Sequence, residues 1–249
     1  MNIKVETENC NFENHFLIEE SADSKIILNI EMNKIASLQS RKQKRDQITT
    51  LIQKELSKFK WIISGSVVVE FAWYLNAVER QETDKIGDID NISKPIQDAL
   101  TGSKGIIIDD AQIGGLYSFW MSRNEMISDN FLKIGIQFNN DETLEKKNLK
   151  FIQYDKAICM PLNFDGNDIK RLFLCKIILN AKRRTRKVAE RIKRKGYNLD
   201  HSLKLSSWDF HRTRLGGFDN NDVLTLNEFN LLCEKQGLTF KMLIELKKG

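Results

Sequence analysis

Hydrophobic and polar positions alternate with period two over Ser66–Asn76. Val67, Val69, Phe71, Trp73 and Leu75 fall on one side and Glu70 and Asn76 on the other, which predicts a half-buried strand. Lys25–Ala36 and Phe131–Asn139 read as further strands, and Ile113–Met121 as one loosened by a bulge at Gly114–Gly115. Between them the period changes. Ile48, Leu51, Ile52, Leu56 and Phe59 recur at three- and four-residue steps within Arg41–Phe59, and Ile92, Ile96, Ala99 and Leu100 within Asn91–Leu100, predicting two helices. Pro95 lacks an N–H and is tolerated in a first turn, so the second helix is expected to start near Asn91. Residues 1–24 read as an extended polar lead-in, and Ala77–Gly87 as a polar loop.

The order strand, helix, strand, helix, strand, strand implies an α/β (α+β) layer over residues 25–140, a mixed sheet packed with helices. A polar stretch, Asn140–Asn148, marks a boundary, and 149–249 is expected to be a mainly helical C-terminal domain. Within it Leu149–Asn163 offers a strand or two. A long helix is expected over Asp168–Lys195, with Leu174, Ile178, Ala181, Val188 and Ile192 along one side. A last helix over Leu226–Gln236 is announced by the capping pair Thr225 and Glu228.

Composition fits an ordered protein: of 249 residues 41% are hydrophobic and 29% charged, and two are proline. No apolar run is long enough to cross a bilayer, and the N-terminus lacks the layout of a secretory leader, so a cytoplasmic location and no membrane partner are expected. The four cysteines and three histidines are too scattered for a Cys/His metal site, which leaves carboxylates as candidate ligands.

The densest chemistry lies in Gly87–Asp110, GDIDNISKPIQDALTGSKGIIIDD. Asp88 and Asp90, two apart, can point to one side of an extended approach to a helix. Asn91, Lys94 and Asp98 share a helical face, and Asp109 and Asp110 form a second acidic pair. If the strands before and after this segment are neighbours, the two pairs converge at one sheet end. Two carboxylates about 4 Å apart repel by roughly 1–4 kcal/mol, a repulsion that a divalent cation reverses. Oxygen-only ligands select Mg²⁺, with Mn²⁺ as the alternative. Such an ion orients and acidifies water beside a phosphodiester, and Lys94 is placed to meet the phosphate. The plainer alternative stays open beside this: Asp88 and Asp90 as helix caps, Asp98 as an ion-pair partner of Lys94, and Asp109–Asp110 as turn residues.

The run Asp88-Ile-Asp90-Asn91-Ile-Ser-Lys94, then Asp98-Ala99-Leu100, then Asp109-Asp110-Ala111-Gln112-Ile113, resembles the signature of the RusA family of Holliday junction resolvases, over about residues 24–140. The resemblance implies a RusA-like fold and Mg²⁺-dependent endonuclease activity in recombination and repair. It implies that Asp88, Asp90 and Asp110 are the catalytic metal ligands and Lys94 an essential basic residue. Asp109 would join the metal, with Asn91 and Asp98 in support. It also implies a homodimer that nicks opposing strands of a four-way junction. Where the family often carries basic residues before the first aspartate, Gly87 stands here and the nearest base is Lys85, a candidate DNA contact.

Net charge, +5, is uneven. Lys182, Arg183, Arg184, Arg186, Lys187, Arg191, Lys193, Arg194 and Lys195 accompany one acid, Glu190, in fourteen residues, a local +8. Such a helix is expected to bind DNA through phosphates rather than base edges; the plain alternative is a solvated basic face. Trp208, Phe210 and Phe218 read as core residues. Two competing functions remain: a non-catalytic nucleic-acid-binding protein on this fold, and a nuclease for other DNA structures in a phage or defence setting.

Overall fold

The computed structural model describes residues 3–8, 11–13, 23–38, 40–81, 86–122, 129–197 and 209–238. The chain divides into two compact units, Met1–Thr143 and Leu144–Gly249.

The first unit is built on a five-stranded sheet. Its strands are β1 (Ile3–Glu8), β2 (Asp23–Met32), β4 (Val67–Leu75), β5 (Ile113–Ser122) and β6 (Asn130–Asn139), in the order β1-β2-β6-β4-β5. A short β3 (Trp61–Ile63) precedes β4. All pairings are antiparallel except β4 with β5, which is parallel, so the sheet is mixed as expected. Val67, Val69, Phe71, Trp73 and Leu75 are buried as the alternation predicts. Against them lie α1 (Lys42–Leu56), through Ile48, Ile52 and Leu56, and α3 (Ile89–Leu100), through Ile92, Ile96, Ala99 and Leu100. Each such side chain contributes about 1.5–3 kcal/mol by leaving water.

Two segments are more ordered than expected. The lead-in contains β1, which pairs Ile3 with Met32 through Glu8 with Ile27; its inner face has only two apolar residues, Ile3 and Val5, too few for the alternation to register. The polar loop after β4 opens with a short helix, α2 (Ala77–Gln81). The bulge expected in β5 is present: Val67 faces Ile113 and Val68 faces Gly115, leaving Gly114 unpaired. A Cβ at Gly114 would come within 2.7 Å of Ser66 Oγ.

The C-terminal unit is itself mixed α/β, which corrects the mainly helical expectation. β8 (Leu149–Asp155) and β9 (Ile158–Asn163) form an antiparallel hairpin. β10 (Phe210–His211) adds to β9, and β11 (Val223–Thr225) lies parallel to β8. α4 (Ile169–Arg194) is capped by Asp168, whose side chain accepts from Arg171 N–H. α5 (Leu226–Lys235) carries the capping box of Thr225 and Glu228. Leu172, Cys175, Leu179, Phe229 and Cys233 close this second core over Ile152, Met160 and Leu162. Phe210 is buried and Phe218 packs on Phe151; Trp208 lies outside the described residues. No helix among the described residues is long and apolar enough to cross a membrane.

Candidate active site

The acidic segment is organised by α3. Gly87 precedes it with φ +79°, a conformation that any side chain strains, so a glycine rather than a base leads into Asp88. Asp88 stands at the N-cap position with its side chain making no cap hydrogen bond, and both Asp88 and Asp90 are exposed. The helix begins at Ile89, two residues ahead of expectation, and Pro95 lies in its interior. Its missing N–H would leave the Asn91 carbonyl unpaired, but Leu38 N–H donates to that oxygen at 2.9 Å. The proline thus ties α3 to the segment after β2.

The two acidic pairs do not converge at one sheet end. β4 and β5 are neighbours, but parallel ones, so the chain leaves β4 at one end and enters β5 at the other. α3 runs back between these ends. Ser93 Oγ lies 3.3 Å from Trp73 Nε1 and 3.0 Å from Ser118 Oγ, and Thr101, just past the helix, bridges Ile107, which in turn bridges Ile63 below β4. Asp88 and Asp90 sit at the helix start; Asp110 sits where β5 begins. The residue joining them is Lys94, whose ammonium donates to Asp98 Oδ1 and to Asp110 Oδ2, each at 2.9 Å. Asp90, Lys94 and Asp98 are successive turns of one face, about 6 Å apart. Asp90 and Lys94 line an open cavity of about 300 Å³ with Leu38, Ser93, Leu116 and Ser118.

Burial by itself would lower the Lys94 pKa, but the hydrogen bonds to Asp110 and Asp98 outweigh it and the net shift is upward. Lys94 is therefore a fixed cation at neutral pH. Asp98 is its ion-pair partner, and Asn91 is half-buried on the same helix. Lys85 lies outside the described residues.

Asp109 turns toward structure: its Oδ1 accepts from Ala111 N–H at 3.0 Å and caps the 3-10 turn Asp110–Gln112. Gln112, quoted in the motif but given no role, is the keystone of this turn. It is fully buried. Its Oε1 accepts from Ile108 N–H (2.7 Å) and Asp109 N–H (3.0 Å), while its Nε2 donates to Ile63 O (3.0 Å) and Gly65 O (2.7 Å). One amide thereby locks the Asp109–Asp110 turn to the start of β4. The signal in the sequence was its fixed place two residues after the Asp109–Asp110 pair.

Among the described residues no group of three or more His, Cys, Asp or Glu lies close enough to hold a metal ion. The donor chemistry of Asp88, Asp90 and Asp110 suits a hard divalent cation, and the exposed Asp88 carboxylate is uncommitted to its helix, but the three are not gathered.

In α4 the basic run divides. Lys182 is buried, 3.4 Å from Asp209, and Arg186 Nε lies 2.6 Å from Asp155, so these two face inward rather than toward a DNA partner. Arg184, Lys187, Arg191, Lys193, Arg194 and Lys195 are exposed, and Arg183 is half-buried.

Residues 30–136 match the model of a protein family described as Endodeoxyribonuclease RusA; the C-terminal region is unmatched. No curated protein matches the chain. The family match supports a nuclease-type function.

Proposed function

We propose, from the match of residues 30–136 to the RusA endodeoxyribonuclease family, that this protein is an endonuclease hydrolysing DNA phosphodiesters, with four-way junctions as preferred substrate. The observation that carries the reading is the charged line Asp90–Lys94–Asp98 with Asp110 across from Lys94, beside an open cavity. The family resemblance assigns Mg²⁺ or Mn²⁺ to Asp88, Asp90 and Asp110. The three are not gathered in this structure and would have to draw together to hold the ion, whose chemistry when bound is an activated water and charge stabilisation at phosphorus. Lys94, kept protonated by its two carboxylates, offers a cation to the non-bridging phosphate oxygens as negative charge grows there. Its raised pKa rules it out as a base near neutral pH. Asp109 and Gln112 hold the turn that presents Asp110. The working form in this proposal is a cytoplasmic homodimer, as the family resemblance implies.

The second reading is a non-catalytic DNA-binding protein on the same fold. It is favoured by one observation, the separation of the three carboxylates. Cleavage of a labelled four-way junction, beside duplex, fork and single strands, separates the two. Paired nicks that require Mg²⁺ and disappear in EDTA and in Asp90→Asn are expected. Metal-dependent cutting that favours another substrate would move the preference; binding without cutting in either metal would sink the enzyme.

A further inference from the structure

Charge is divided between the two units. Met1–Thr143 holds 16 basic and 22 acidic residues, a net −6, whereas Leu144–Gly249 holds 23 and 12, a net +11. The unit that carries the candidate active site therefore repels DNA on balance, and the unmatched unit attracts it.

Within the second unit, α4 sorts its cations by face. Lys182 and Arg186 continue the buried stripe of Leu172, Cys175 and Leu179, and each has acidic partners: Asp209 for Lys182, Asp155 and Glu190 for Arg186. On another side Arg184, Lys187, Arg191 and Arg194 follow at steps of three, four and three, all exposed, and no acidic side chain among the described residues pairs with them. Attraction to the helix C-terminus accounts for Arg191 and Arg194 in the last turn, but not for Arg184 and Lys187 further back. Like charges at these spacings weaken an isolated helix, so local stability does not explain the row either. The row spans about 15 Å, and a DNA strand presents a phosphate every ~3.4 Å of axis, so about four phosphates lie within its length.

We infer that this outer face of α4 is a duplex DNA-binding surface, gripping the phosphates of one strand through Arg184, Lys187, Arg191 and Arg194 and supplying the affinity that the acidic first unit lacks. The inference rests on the nuclease reading for its choice of DNA as the polyanion. The row carries no Asn or Gln to read adenine edges, and the contacts assigned to its cations are to phosphates, so the binding expected is independent of sequence.

The test uses the full-length chain in EDTA and a labelled duplex, with affinity measured across a salt series. Replacing the four residues together (Arg184→Gln, Lys187→Gln, Arg191→Gln, Arg194→Gln) removes like-charge repulsion and leaves the buried stripe intact, so the helix should persist by circular dichroism. The slope of log affinity against log salt should become shallower by about 3–4, close to 0.9 for each phosphate that the protein no longer neutralises. Lysine at the three arginine positions should restore it. A control with the same charge change on the first unit (Lys42→Gln, Lys54→Gln, Lys58→Gln, Lys60→Gln) should leave the slope alone. An unchanged slope in the α4 variant, or equal flattening by the control, would overturn the inference. Because no cleavage is read, a chain that binds through α4 and never cuts would refute the proposed function and leave this surface standing.

Discussion

Gln112 is a residue whose chemistry is fully accounted for by its surroundings. Four backbone groups from two segments meet its amide in a site without solvent exposure. Gln112→Ala leaves Ile108 and Asp109 N–H and Ile63 and Gly65 C=O without it, and a buried polar group left unpaired costs about 1–3 kcal/mol. The expected result is a loss of more than about 2 kcal/mol in urea unfolding, with Asp110 released from its register and nuclease activity falling further than stability. Unfolding indistinguishable from wild type would show that the turn is held by other means. Lys94 gives a prediction with a sign. Its pKa in the folded chain is raised above the ordinary 10.5, so its pairing with Asp98 and Asp110 stabilises the fold in full below that value and is lost as pH climbs through the folded-state pKa. The melting temperature of Lys94→Met should lie below wild type at pH 8 and converge with it as the pH climbs through the folded-state pKa of Lys94. As the side chain is partly exposed, the gap should stay within the roughly 1 kcal/mol of such pairs. A gap that widened with alkalinity would contradict the assignment.

At the scale of elements, legibility in the sequence follows how much one face differs from the other. β4 is apolar at every second position, and its burial follows the alternation. α3 separates its isoleucines from Asp90, Lys94 and Asp98 so cleanly that both faces were readable. α4 is the opposite case because it carries two apolar stripes. Leu174, Ile178, Ala181, Val188 and Ile192 form the longer one, yet Leu174 is 46% exposed, Ile178 37% and Val188 47%, while the shorter Leu172, Cys175 and Leu179 are buried. Periodicity measures the existence of a stripe and is silent on which stripe meets a sheet. It is silent also on Lys182, which extends the buried stripe because Asp209 receives it. Pairing direction was equally out of reach: alternation in β4 and β5 is the same whether they run parallel or antiparallel, and direction decides whether Asp88 and Asp110 share an end. The candidate residues of the site were thus legible one by one, and their spacing across α3 was not. The second sheet escaped for a further reason: β10 and β11 are two and three residues long, too short for any period to register.

At the scale of the whole molecule, the described residues form two hydrophobic cores built from different side chains, one within Met1–Thr143 and one within Leu144–Gly249. Cooperativity in unfolding comes from shared burial, so two cores with no residue in common are expected to melt as two transitions rather than one. The chain carries its own reporters. Trp61 and Trp73 are buried in the first core, whereas Cys175 and Cys233 belong to the second and Cys159 lies in its sheet. Burial pushes the Cys159 and Cys175 thiols up to about 11, so in the folded unit they should resist alkylation at pH 8, where an exposed thiol reacts. In a Cys10→Ser, Trp208→Phe background, tryptophan fluorescence and cysteine labelling followed through a urea titration should give different midpoints, each with a smaller m-value than a chain of this length unfolding at once. Coincident midpoints with one full-sized m-value would mean that the half with the candidate active site and the half with the basic row stand or fall together. Separate midpoints would instead let the affinity of the basic unit be lost, by mild denaturant or by substitution in its core, while the fold that carries Asp88, Asp90, Lys94 and Asp110 persists.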